Sequence, residues 1–128
     1  MAGACDEPPP VPEPGAGVRR VGPWLVVQVS GELDLATAPG LSARVGRLIA
    51  EGDPPRIVLD LGGVSFCDSS GINALVRLWK HISAAGGQLL VLRPQPRLVT
   101  LLSRTGVDRW VPVVQELPDP HEEPWSSP

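Results

Sequence analysis

Tyrosine is absent, phenylalanine and methionine occur once each, and aromatics make up only 4% of the 128 residues. Val, Leu and Ile must therefore fill any core. The 42% hydrophobic content suffices for one packed domain. Cysteine occurs twice, at Cys5 and Cys67, too far apart to suggest a disulfide framework. Cys67 reads as a small buried hydrophobe. His81 and His121 stand outside any metal-ligand spacing, so no metal is expected. The formal charge of -3 lacks the basic excess expected for direct nucleic-acid binding. No run of about 18 apolar residues is present, so no helical membrane span is expected. Met1–Glu7 has neither the basic nor the apolar stretch of a secretory signal. These absences predict a cytoplasmic protein without a cofactor.

Proline is plentiful at both ends instead. Pro8, Pro9, Pro10, Pro12 and Pro14 punctuate the front, and Pro118, Pro120, Pro124 and Pro128 the back. Such composition buries too little apolar surface to offset the entropy of ordering. Residues 1–16 and 117–128 are expected to be flexible tails around a domain at 17–116, with Trp125 an unexplained apolar residue in the rear tail.

Within that domain, Trp24–Val29, Arg56–Leu61, Gln88–Leu92 and Val111–Val114 read as strands. Val18–Val21 is a candidate early antiparallel strand. Gly31–Asp34 reads as a loop or strand end. Leu41, Val45, Leu48 and Ile49 recur at helical spacing after Thr37-Ala38-Pro39. A second helix is expected over 70–85, with Ile72, Leu75, Val76, Trp79 and Ile82 on one side, and a third over 94–105, with Leu98, Leu101 and Leu102. Gly86-Gly87 and Gly106 supply the glycines that end helices. Alternating strands and helices predict an α/β domain with a mixed sheet of four or five strands.

The most informative segment is Cys67-Asp68-Ser69-Ser70-Gly71, between a strand and a helix. Ser and Asp there satisfy the unpaired N–H groups of a first helical turn. Those N–H groups and the helix dipole also favour a phosphate. Residue chemistry alone leaves both a helix cap and a phosphorylatable switch open. Serine hydrolysis fits poorly: the segment is not G-x-S-x-G, and His81 lies twelve residues after Ser69, roughly 18 Å along one helix. Gly62-Gly63 and Gly86-Gly87 lack a nucleotide-loop pattern. Glu32 and Asp34 read as a solvated acidic loop.

Three ordered segments resemble the STAS domain of bacterial anti-sigma factor antagonists, over about residues 18–115. These are Ser30–Pro39, with its Gly-Glu-Leu-Asp run; Ile57–Gly71, with Asp-Ser-Ser-Gly; and Gly86–Leu89 followed by Leu98–Gly106. The resemblance implies a binding protein rather than an enzyme. Its partner would be an anti-sigma factor that is also a serine kinase. ATP-dependent phosphorylation would switch it off, and a serine phosphatase would restore it. The implied phosphoacceptor is Ser69. Glu32, Asp34, Asp68, Ser69, Ser70 and Gly71 are the implied partner-binding residues, with Gly71 keeping the neighbouring surface low. The sequence departs from the family in having Ile72-Asn73 where Leu-Gly is common, and a proline-rich segment where well-known members carry a last helix. The alternative is a STAS scaffold, or a small-ligand or nucleotide sensor, in a signalling or transporter-associated complex.

Overall fold

Three strands alternate between two buried faces, and this sets the architecture. The computed structural model describes residues 15–49 and 54–117. Its strands are β1 (Gly15–Val21), β2 (Trp24–Leu33), β3 (Arg56–Cys67), β4 (Gln88–Leu92) and β5 (Val113–Val114). They form one sheet in chain order. β1 is antiparallel to β2, and every later neighbour is parallel. Parallel neighbours need crossover connections. These are α1 (Ala38–Ile49), α2 (Ser69–Ala84) and α3 (Pro96–Thr105), the last followed by a 3-10 turn, Val107–Arg109.

All three helices cover the same face. Leu41 and Val45 of α1, Leu75 and Ile82 of α2, and Leu98 and Leu102 of α3 pack into one cluster with Val27, Leu59 and Val91 of the sheet. The intervening residues Trp24, Val26, Val58, Leu90 and Leu92 form a second cluster, against which Val21, Val114 and Leu117 pack. On that side Asp60 is buried; it takes an N–H from Gly62 at 3.0 Å and pairs with Arg93 at 2.8 Å. Arg93 adopts φ 50, the left-handed region that a non-glycine residue seldom enters.

Several boundaries differ from those read in the sequence. Gly15 and Ala16 belong to β1, and Leu117 packs against the second cluster, so both edges of the domain lie slightly beyond 17–116. The rest of the two proline-rich segments, Trp125 included, lies outside the described residues. β3 continues six residues past Leu61, because Ser30–Leu33 of β2 extends alongside it. Gly62-Gly63 thus lies within the strand. The third helix starts at Pro96, since Gln95 stays extended before it. In α2, Leu78 is buried, while Trp79 sits at the border of the apolar face with its ring 5.2 Å from that of Trp110.

Candidate functional site at the β3–α2 turn

A single residue, Asp68, joins β3 to α2. It is extended, with φ -112 and ψ -169, and its Oδ1 accepts the N–H groups of Ser70 at 2.9 Å and Gly71 at 3.3 Å. Asp68 is therefore the N-cap. Ser69 is the first helical residue, and its exposed hydroxyl makes no hydrogen bond among the described residues. The Asp68 carboxylate thus already holds two of the first-turn N–H groups that favour negative charge.

Parallel pairing brings the acidic segment to this turn. Glu32 lies opposite Phe66 and Leu33 opposite Cys67, and the Asp68 N–H donates to the Leu33 carbonyl at 3.3 Å. β3 carries an extra residue twice in this stretch, opposite Gln28–Ser30 and opposite Gly31–Glu32. Such bulges re-aim side chains, and they recur next to functional sites. Gly71 itself is buried. A Cβ there would stand 2.6 Å from both Cys67 Sγ and the Leu33 carbonyl oxygen. Only glycine lets the start of α2 approach the end of β2 this closely.

Asp34 has a local structural role. Its Oδ1 accepts the N–H groups of Ala36 at 3.0 Å and Thr37 at 3.1 Å. The Thr37 hydroxyl accepts the Asp34 N–H at 3.0 Å and donates to the Glu32 carbonyl at 2.8 Å. Desolvation pushes the Asp34 carboxyl up, but hydrogen bonds from Thr37 and Ala36, with a contribution from the Glu32 side chain, outweigh it and hold the group below its usual 3.8. Asp34 thus brackets the turn into α1 with one oxygen engaged, while Glu32 is exposed. Burial, and secondarily the Asp68 charge, pushes the Cys67 thiol up to about 11, so it is neutral beside the site.

Glu32, Asp34, Asp68, Ser69 and Ser70 are brought together at the C-terminal ends of β2 and β3, where parallel α/β sheets place their binding sites. Ser70 also lines a groove of about 510 Å³ between α1 and α2, together with Leu35, Pro39, Asn73 and Arg77. No catalytic base serves Ser69 from its own helix, since His81 is three turns further along α2. Among the described residues no group of three or more His, Cys, Asp or Glu could hold a metal ion, and no helix is long and apolar enough to cross a membrane.

Sequence reasoning missed two residues at this site. Leu35 is 77% exposed and Phe66 is 52% exposed. The signal was present: Phe66 is the chain's one phenylalanine, and Leu35 is the one bulky apolar residue between Asp34 and Thr37. The bulge that turns Phe66 outward is not written in any local pattern.

The model of the STAS domain matches residues 16–119, and the chain belongs to this family. It is 32% identical over 89 residues to an anti-sigma F factor antagonist of Paenibacillus polymyxa, covering 70% of this chain and 76% of that one. The crystal structure of an anti-sigma factor antagonist from Mycobacterium paratuberculosis aligns with TM-score 0.71 at 30% identity, covering 80% of this chain and 86% of that one. The Bacillus cell fate determinant SpoIIAA, solved in its phosphorylated form, shares the fold with TM-score 0.63 at 22% identity, covering 80% of this chain and 93% of that one.

Proposed function

We propose that this chain is an anti-sigma factor antagonist switched by phosphorylation of Ser69. Its partner is an anti-sigma factor that is also a serine kinase, and binding that factor releases a sigma factor for transcription. The kinase transfers the γ-phosphoryl group of ATP to Ser69 Oγ with release of ADP and the hydroxyl proton, and a serine phosphatase hydrolyses the ester. The setting of this exchange is the cytoplasm. One observation carries the reading: Ser69 presents an exposed, unbonded hydroxyl directly after Asp68, whose carboxylate already caps the helix.

The charge logic follows from that geometry. A phosphate adds about -1.5 to -2 charges at neutral pH. With the Ser70 and Gly71 N–H groups occupied by Asp68, the new charge faces outward beside the Glu32, Asp34 and Asp68 carboxylates. A partner surface fitted to a neutral hydroxyl then meets a dianion. A dianion forced into a contact shaped for a hydroxyl loses its hydration without a matching set of donors, which costs several kcal/mol, enough to end the complex without unfolding the antagonist.

The test starts by incubating the chain with ATP and each serine-kinase anti-sigma factor of its own genome, then mapping phosphopeptides. Calorimetric binding of wild type, Ser69→Ala and Ser69→Asp follows with the factor that reacts. Phosphate is expected on Ser69. Ser69→Ala is expected to bind regardless of ATP, and Ser69→Asp to bind weakly. Phosphate on Ser70 would move the acceptor by one residue. No phosphorylation of either serine, with Ser69→Asp binding like wild type, would refute the switch and leave the scaffold or ligand-sensor reading.

A further inference from the structure

Five large hydrophobic side chains are exposed among the described residues: Val18, Leu35, Phe66, Val99 and Trp110. Two of them, Leu35 and Phe66, belong to the segments that build the Ser69 turn. Leu35 follows Asp34 and lies at the groove between α1 and α2 that Ser70 also lines. Phe66 lies opposite Glu32 and lines a smaller cleft, of about 180 Å³, with Arg97, Leu98 and Leu101 of α3. The Asp68–Ser70 turn stands between these two hollows. The surface therefore places an exposed apolar side chain on each side of an acidic middle that holds Ser69, and each hollow also carries an arginine, Arg77 in the first and Arg97 in the second.

The geometry points to Leu35 and Phe66 as the two anchors by which the proposed kinase partner grips this chain, one on each side of the serine it phosphorylates. This rests on the reading of Ser69 given above and adds the chemistry of the partner surface. That surface has two apolar sockets separated by a basic strip. Solvent-exposed apolar groups gain little by staying in water, and energetic anchors at interfaces are typically large side chains buried in pockets and ringed by polar contacts. The carboxylates supply the polar contacts: Glu32 is exposed and Asp34 and Asp68 are half-buried, and together they call for a partner of opposite sign.

The same charges argue against a second copy of this chain as occupant. A two-fold pairing through this patch would place the acidic centre of one protomer against that of the other. Two apolar anchors also give the kinase a way to hold Ser69 in register. The anchors set affinity and position, while the serine sets whether the complex persists.

The test uses the anti-sigma factor that phosphorylates the chain in the assay above. Leu35→Ala and Phe66→Ala are each expected to raise its Kd at least tenfold. In steady-state phosphorylation they are expected to raise KM with kcat nearly unchanged, because Ser69 and its turn are intact. Trp110→Ala is the control: this residue is 60% exposed but packs on Trp79, away from the turn. It is expected to change Kd by less than about twofold. Urea midpoints confirm folding, and Leu35→Ser and Phe66→Leu provide milder variants if either alanine unfolds the chain. Leu35 and Phe66 variants that bind like wild type, while Ser69→Asp does not bind, would overturn the anchors and leave the switch standing. Anchor variants that lose binding while Ser69→Asp binds like wild type would support the docking surface and refute the switch. If no anti-sigma factor of the genome binds the wild-type chain, both proposals fall.

Discussion

Gly71→Ala and Gly46→Ala are the same substitution inside two helices, with opposite expected signs. Helix propensity alone predicts that each gains up to about 1 kcal/mol, because glycine loses more backbone entropy than alanine. At Gly46, in α1, nothing lies within 4 Å of an added Cβ. That substitution is expected to stabilise by about 0.5–1 kcal/mol. At Gly71 the new carbon would stand 2.6 Å from Cys67 Sγ, 2.6 Å from the Leu33 carbonyl oxygen and 2.9 Å from Leu33 Cγ. Optimal carbon contacts lie near 3.5–4.0 Å, so these neighbours must move by the better part of an ångström. The carbonyl cannot rotate away, because it belongs to β2 and accepts the Asp68 N–H. Overpacking costs about 1–3 kcal/mol, and weakening that hydrogen bond adds up to about 1 kcal/mol. After the propensity gain, a net loss of about 1–3 kcal/mol remains. Urea titrations read it as a lower midpoint at constant slope. Adding Cys67→Ala removes the sulfur clash but not the carbonyl clash, so the double variant is expected to recover only part of the loss. Equal stabilisation by Gly71→Ala and Gly46→Ala would refute the close approach of α2 to β2.

Three further outcomes follow from the buried and titrating groups. With its thiol pushed up to about 11, Cys67 is expected to react with a disulfide reagent at pH 8 far more slowly than an unfolded thiol, since only about one molecule in a thousand is thiolate; equal rates in the absence and presence of urea would contradict its burial. Asp34 is held below its usual 3.8, so it contributes stability above that value and loses it as pH falls through the folded value. The stability gap between wild type and Asp34→Asn is therefore expected to close on acidification, and a gap that widens would be contrary. Arg93→Ala is expected to destabilise by about 3 kcal/mol because it strands a buried carboxylate, whereas Asp60→Asn frees only a half-exposed guanidinium and is expected to cost about 1–2 kcal/mol; the reverse order in denaturant titrations would mean that Asp60 is not the buried partner.

The strand and helix order was legible because period-two and helical apolar patterns are local. The pairing of Gly31–Leu33 with Val64–Cys67 was not, since it joins segments more than thirty residues apart, and neither run alternates cleanly through the bulges. This is why β3 read as ending at Leu61 and why Phe66 went unnoticed. The cap was half legible. Asp68, Ser69 and Ser70 all suit an N-terminus, and only the backbone decides that Asp68 takes the N–H groups and Ser69 is left free. Gly71 illustrates the opposite failure. Its presence was plain in the sequence, but its reason is a carbonyl on another strand. The Asp60–Arg93 pair gave no signal at all, because an aspartate within an apolar strand names no partner.

Capping by Asp68 bears on what phosphorylation does to the fold. On the proposed switch, the phosphate at Ser69 faces two opposing local effects. A helix N-terminus attracts negative charge by about 0.3–1 kcal/mol. Repulsion from a carboxylate in water is about 1 kcal/mol per unit pair at 4 Å, so about 2 kcal/mol for a dianion before salt screens it. After screening these largely cancel if Asp68 stays in place, so the phosphorylated protein is expected to unfold within about 1 kcal/mol of the unmodified one at physiological ionic strength. Its Ser70 and Gly71 amides, bonded to Asp68 at 2.9 and 3.3 Å, are expected to exchange with solvent as slowly as before. Urea titration and amide exchange on protein phosphorylated quantitatively at Ser69 measure both. A loss of several kcal/mol, with those two amides deprotected, would show that the phosphate displaces the Asp68 cap. The switch would then act by loosening the start of α2 rather than by presenting a charge on an unchanged surface.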